Sequence, residues 1–587
     1  MMHPDRLQQA LATAVNHLLS LCSPEGHWEG HLSSSALATA TAISALSLAA
    51  MPEDRERTAA GLDWLCRTQN EDGGWGDTPD SPSNLSTTLL TLSALHLSHA
   101  QSDRQSAYER AEAYVTHRAG ATPGERVAAI RKTYGADRTF AVPILMNCAL
   151  AGLVPWSEVP DLPFEMAALP RSLYPVLRLQ VVSYALPALI AVGLTVHHHK
   201  GSGRSRRFLR SAVTPGVLRT LERIQPESGG YLEATPLTAF VTMGLVGALG
   251  PEHPVLSRCL HFLRTSLRED GSWPIDTHLA TWVTSGAVNA LEQARPVLPE
   301  DGPAQDAAAA LVVSRQWLAG QQRGTVHPYT GAAAGGWGWS YLSGSVPDAD
   351  DTSGAVLALA GTANSKGIAE GARWLMDLQN ADGGWPTFCR GWGQLPFDMS
   401  CADITAHALR ALHAVDPLGQ DQRLATCMRR GLSYLVRTQR ADGSWVPLWS
   451  GSQRTADHSN PVLATSRVLM ALAELGPGGE QAQRGLKYLL AAQSEEGGWG
   501  AEAGVPVTVE ETALAVSALA QWPQAAPEAL SRGIEQLVAR VEEGSWTNAA
   551  PIGLYFASLW YSEALYPVMW TVEALARASR SLATGAG

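Results

Sequence analysis

The sequence is short of charge. Only 17% of its 587 residues are Asp, Glu, Lys or Arg, and the balance is acidic, at -12. That argues against a nucleic-acid partner, which selects a basic surface. Cysteines are few and odd in number (Cys22, Cys66, Cys148, Cys259, Cys389, Cys401, Cys427), and none stand as C-x-x-C. A disulfide framework and a Cys-based zinc site are therefore not expected, and a reducing compartment is. No uninterrupted apolar run is long enough to span a bilayer, and the start does not read as a signal peptide. Alternating, strand-like patterns are rare. These absences point to a soluble or membrane-surface cytoplasmic protein.

What is present is a repeat. Gly61-Leu62-Asp63-Trp64-Leu65 leads to Gln69 and then Asp72-Gly73-Gly74-Trp75. The pattern recurs through Gln379 to Trp385, Gln439 to Trp445 and Gln493 to Trp499, with weaker copies ending at Trp28, Tyr231, Trp273, Trp337 and Trp546. Each unit reads as an apolar helix, a Gly-rich turn closed by Trp, and a second helix such as 86–100 or 403–415. The glycines allow positive φ in the turn, and the Gln amide reaches helix-end backbone groups. A two-helix repeat cannot bury its own apolar face, so copies stack. The expected fold is all-α, with two α/α barrels (helical toroids). Arg295-Pro296-Val297-Leu298-Pro299-Glu300-Asp301-Gly302-Pro303 is a polar, Pro-rich break. It places the first barrel at 20–293, a crossover at 294–305 and the second barrel at 306–587, with an N-terminal helix at 4–21 packed on the second. The basic stretch from His197 to Arg207 reads as a solvated loop.

Asp348-Ala349-Asp350-Asp351 carries the chemistry. Three carboxyls this close repel one another as anions, so at least one is pushed toward its protonated form. Helix starts are also rich in Asp, because carboxylates cap free N–H groups and favour the macrodipole.

The Gln-x-x-x-Gly-x-Trp repeat together with Asp-x-Asp-Asp resembles class II terpene cyclases, squalene–hopene cyclases in particular. Pro163-Phe164-Glu165, Ala280-Thr281-Trp282 and Asp403-Ile404-Thr405-Ala406-His407 fall in the family's order. The resemblance implies that Asp350 protonates a terminal alkene of a linear polyisoprenoid, that Asp348 and Asp351 hold and tune it, and that His407 bonds it and raises its acidity. Asp403, one turn before His407, is placed to orient the imidazole. The family's cavity positions fall on Trp339, Phe388, Trp449, Trp282, Tyr184 and Tyr555, aromatic faces that stabilise carbocations at roughly 2 kcal/mol each when desolvated. No metal is needed for initiation, and no other cofactor is implied; Mg²⁺ enters only with a diphosphate substrate. There are also departures. Leu463 replaces a Tyr that helps return the proton, Val283 replaces an Asp, and 553–567 resembles the closing aromatic helix without its Phe-Pro start.

The leading expectation is cyclisation of a squalene-like polyene. Alternatives are a prenyl diphosphate or prenylated aromatic (C15 to C25) handled by the same acid, a protein prenyltransferase-like subunit, whose zinc pattern this sequence does not show, and a non-catalytic lipid-binding toroid. A neutral polyene partitions into lipid, so peripheral attachment to the inner face of the cell membrane is expected. A homodimer stays open beside a monomer.

Overall fold

The computed structural model describes residues 4–135, 138–169, 173, 186–201, 203–249, 252–300, 302–328, 330–386, 396–476, 479–554 and 559–585. Helices built almost wholly of buried residues alternate with amphipathic ones, and this difference sorts the chain into inner and outer layers. Ala36–Ala49, Leu85–Leu97, Arg138–Leu150, Leu186–Lys200 and Thr235–Leu249 pack side by side into one closed inner ring. A second ring closes through Ala280–Ala294, Ala349–Leu359, Ala402–Val415, Pro461–Leu475, Val509–Leu519 and Leu565–Gly585.

The outer helices of the second ring are Pro303–Gly320, Ser365–Leu378, Gln422–Thr438, Gly479–Ala492 and Pro527–Glu543. Pro4–Ser20 fills the remaining gap between Pro527–Glu543 and Pro303–Gly320, and Arg6 pairs there with Glu535 and Glu542 at 2.8 Å. One boundary differs from the sequence reading. Ala280–Ala294, expected in the first barrel, is an inner helix of the second, wedged between Ala349–Leu359 and Leu565–Gly585. The Pro-rich break after it joins an inner helix to the next outer one rather than one barrel to the other.

The repeat turns share one geometry. The indole N–H donates to the carbonyl ten residues earlier, as Trp385 does to Leu375 at 2.8 Å, and the Trp backbone N–H meets the hydroxyl of a Thr on the following helix, here Thr405 at 3.0 Å. Trp75, Trp445 and Trp499 repeat both bonds. Gln379 Nε2 donates to the Gly383 and Cys427 carbonyls, both at 2.8 Å, and so ties one unit to the next. Gly383 has φ +94°, and a Cβ there would stand 2.5 Å from the Arg430 carbonyl, so only glycine fits. Each fully buried Trp contributes roughly 4–6 kcal/mol of apolar burial before ordering entropy is subtracted.

The N-terminal ends of several inner helices of the second ring face the first ring. A short antiparallel sheet (Ser450–Gly451, Ile552–Leu554, Leu559–Tyr561) lies at this junction. The sequence reading gave 553–567 to one aromatic helix. Its described part instead forms strand ends before Leu565–Gly585 begins. No helix among the described residues is long and apolar enough to cross a membrane.

Candidate active site

Between the rings lies a chamber of about 220 Å³. Leu32, Leu232 and Ile275 come from the first-ring side. Leu279, Trp282, Ile404, Trp449, Tyr561, Tyr566 and Trp570 come from the second, and the sheet adds Ile552 and Leu559. The polar side chains in this wall are few: Asp276, Asp348, Asp350, Asp351, Ser450, Arg467 and the two Tyr hydroxyls.

Asp348 is the N-cap of Ala349–Leu359. Its Oδ1 accepts the Asp351 N–H at 2.9 Å, and its own N–H donates to the Trp337 carbonyl. The repeat turn that ends in Trp337 thus sets where the acidic segment begins. The capping reading holds for Asp348, while Asp350 lines the chamber with a quarter of its side chain uncovered.

Asp350 Oδ1 lies 2.6 Å from His407 Nδ1, on the neighbouring inner helix, and Oδ2 lies 3.6 Å from Arg467 Nη1 on the helix beyond. Burial pushes the Asp350 carboxyl up. The Arg467 charge and then His407 outweigh that and hold it below the usual carboxylate range. Its neighbours go the other way. Burial, partly offset by hydrogen bonds from Asp351, pushes Asp348 up to about 7, and burial with the Asp348 charge pushes Asp351 well above its ordinary value. The expected repulsion is therefore met by two carboxyls pushed toward the protonated form and one pushed toward the anion.

Asp403 does not take the role expected of it. It accepts the Cys401 thiol at 2.6 Å and faces Arg467 at 3.9 Å. It backs the guanidinium rather than orienting the imidazole. The sequence reading does not single out Arg467, which lies in helix Pro461–Leu475. Its guanidinium stands 5.9 Å from the Trp282 ring centroid and 5.9 Å from that of Trp570. Trp282 meets the His407 ring edge-on at 6.1 Å. The Trp339 carbonyl accepts the N–H groups of Thr281 and Trp282, which locks two wall elements together. Trp449 packs edge-on against Phe397 at 5.9 Å. Trp282, Trp339 and Trp449 thus share one wall, to which the structure adds Tyr561, Tyr566 and Trp570. Phe388, Tyr184 and Tyr555 lie outside the described residues. Among the described residues, no group of three or more His, Cys, Asp or Glu is placed to hold a metal ion.

Chemically, the arrangement can deliver a proton into a space with few groups able to quench a cation, and can retain the resulting carboxylate beside two cation-capable partners.

Residues 279–580 match the family model described as the squalene–hopene cyclase C-terminal domain, and residues 11–202 match that of the N-terminal domain. An enfumafungin synthase from Hormonema carpetanum is 26% identical over 96% of this chain and 48% of its own length, so the chain spans about half of that relative. A probable squalene–hopene cyclase from Sinorhizobium fredii is 25% identical over 95% of this chain and 94% of its own. A copalyl diphosphate synthase from Streptomyces cyslabdanicus is 29% identical over 88% and 86%. The solved ent-copalyl diphosphate synthase from Streptomyces platensis shares the fold at TM-score 0.56 and 21% identity, over 99% of this chain and 100% of that one.

Proposed function

The chain belongs to the squalene–hopene cyclase family, and on that footing we propose that it is a class II terpene cyclase in which Asp350 protonates the terminal double bond of a linear, uncharged polyisoprenoid. The observation that carries this reading is the placement of Asp350, between an apolar chamber on one side and His407 with Arg467 on the other.

An alkene is a very weak base, so the donor has to be a strong acid when protonated. Arg467 and His407 make it one by favouring the anion that the transfer leaves behind. With His407 Nδ1–H donating to Oδ1, the proton sits on Oδ2. The alkene π electrons form the new C–H bond, the O–H bond breaks, and a tertiary cation remains. Neighbouring double bonds close rings onto that cation in turn. Asp348 and Asp351 are pushed toward the protonated form, which lessens the negative charge that would oppose loss of the Asp350 proton. Trp282, Trp339, Trp449 and Trp570 offer their faces to the moving charge. The wall preorganises the folded chain, which removes entropy from the barrier.

The apolar lining supports a squalene-like polyene. The cation that lines the described wall, Arg467, is already engaged by Asp350 and Asp403. The copalyl diphosphate synthase relative favours a second reading, a prenyl diphosphate closed by the same acid, with Mg²⁺ entering only there. A water-insoluble polyene would reach the chamber from a lipid surface, which supports peripheral membrane attachment; detergent-free fractionation that leaves all the protein in the supernatant contradicts it. The test of function is incubation of purified protein, without added metal, with squalene and with farnesyl, geranylgeranyl and geranylfarnesyl diphosphates, followed by mass analysis. A cyclic product from squalene supports the first reading, one from a diphosphate alone supports the second, and none from any rejects both.

A further inference from the structure

An isomerisation that starts with a proton leaving the protein ends with one coming back, so the chamber needs an acceptor as well as a donor. Carboxyls reach the described chamber wall at two places. One is the Asp348–Asp351 segment of the second ring. The other is Asp276, on the stretch between the Trp273 turn and helix Ala280–Ala294, where its backbone pairs with Ala234 of the first-ring unit.

We propose that Asp276 is the base that ends the cyclisation, taking a proton from the last carbocation. This rests on the reading of Asp350 as the initiating acid. Asp276 Oδ1 accepts the Thr277 N–H at 2.7 Å, which fixes the carboxyl in the wall that Trp339 also lines. Glu233 stands near it: fully buried, with Oε1 taking the Gly344 N–H at 2.8 Å. Leu232 and Glu233 both adopt left-handed backbone, φ 55° and 56°, which is uncommon outside glycine. The bend carries Leu232 into the chamber wall and Glu233 into the protein beneath it.

The electrostatics follow the geometry. Burial and the Glu233 charge raise the proton affinity of Asp276 far above that of an ordinary carboxylate, whereas Arg467 and His407 hold that of Asp350 below it. Once protonated, the carboxyl of lower proton affinity is the stronger donor, and once ionised, the one of higher affinity is the stronger acceptor. The other wall groups suit the task less well. The Tyr561 and Tyr566 hydroxyls face one another at 3.3 Å, and burial raises both phenols. Asp348 is occupied by the Asp351 N–H.

In the step itself, a C–H bond next to the cationic carbon breaks, its electron pair becomes the new double bond, and the proton goes to the Asp276 carboxylate. Asp350 is then one proton short and Asp276 one proton ahead. Exchange with water after product release restores both, and no oxidant or reductant enters. The raised proton affinity of Asp276 disfavours the ionised form that this step needs, as the lowered affinity of Asp350 disfavours the protonated form that initiation needs, so both contribute to the rate.

The experiment compares wild type, Asp276→Asn and Asp276→Glu in D₂O, on whichever substrate of the panel the wild type converts. Two quantities are read: deuterium on the first ring carbon, which reports Asp350, and the ratio of product alkenes to their isomers and alcohols, which reports termination. Asp276→Asn is expected to keep the deuterium on the first ring carbon while the wild-type alkene falls at least tenfold in share; Asp276→Glu regains part of it. An Asn variant with unchanged rate and product ratio overturns the proposal. So does a folded Asn variant that consumes no substrate, because the residue would then act before the cascade. If the Asn variant does not fold, a Glu variant with the wild-type ratio supports the proposal and one with no turnover overturns it. A wild type that forms cyclic product without deuterium removes the Asp350 reading and this one with it, whereas an unchanged Asn variant removes this one alone.

Discussion

Asp350 and His407 meet at 2.6 Å across two adjacent inner helices, Ala349–Leu359 and Ala402–Val415. The bond favours the ionised carboxyl, which is the state left after proton transfer. Charge-assisted hydrogen bonds contribute about 1.5–3 kcal/mol. His407→Ala is therefore expected to slow turnover about 10- to 100-fold in a product-formation assay with little change in melting temperature. An unchanged rate would return His407 to a packing role.

Arg467→Met removes the cation that contributes most to lowering Asp350. Activity requires protonated Asp350, so the rate falls as pH rises through its pKa. Without Arg467 that pKa rises, and the falling limb of the pH–rate profile moves to higher pH. The limiting rate at low pH drops, because the acid is weaker. A limb that stays in place would show that Arg467 does not act on Asp350.

Asp348→Asn tests the neutral flank. The folded state holds the Asp348 proton up to about pH 7, whereas an unfolded Asp releases it near about 3.9. Between these values the folded chain binds more protons than the unfolded one, so stability falls as pH rises. Asn keeps the cap bond to the Asp351 N–H without ionising. The melting temperature of the variant relative to wild type is expected to be near zero difference at pH 4 and positive at pH 8. A difference independent of pH contradicts the shift.

Trp385→Ala tests the scaffold separately from the chemistry. Trp385 is fully buried, and its two hydrogen bonds tie the turn to both helices of the unit. Removing a large buried aromatic costs about 3–5 kcal/mol. A clear fall in melting temperature is expected, while Asp350→Asn leaves it nearly unchanged. Equal melting curves for Trp385→Ala and wild type would refute the structural role.

The architecture was legible because the repeat writes its own geometry: Gln, Gly and Trp recur at the spacing that one turn needs, and Trp28, Tyr231 and Trp337 make the same kind of indole or hydroxyl bond despite weaker motifs. Ring membership was less legible. Pro-rich breaks mark where the chain turns, not which ring a helix joins, so Ala280–Ala294 was assigned to the wrong one. At the site, the acidic cluster stood out because acid density is a local property, while Asp350 within it and His407 were picked out by the family resemblance. Arg467 did not stand out, since a single Arg in an apolar helix looks the same whether it reaches for solvent or sits between two tryptophans. Helix-face reasoning put Asp403 toward His407, but the first turn of that helix aims it at Cys401 and Arg467. Asp276 lies in an irregular stretch with no periodicity to announce it.

The central claim is that the hydrogen on the first ring carbon comes from the residue 350 side chain. Deuterium content of product formed in D₂O by wild type and by Asp350→Asn measures this most directly. One deuterium per cyclised molecule from wild type, and no cyclic product from a variant that melts like wild type, is the expected result. Cyclic product at a near wild-type rate from Asp350→Asn, or wild-type product without deuterium, would contradict it.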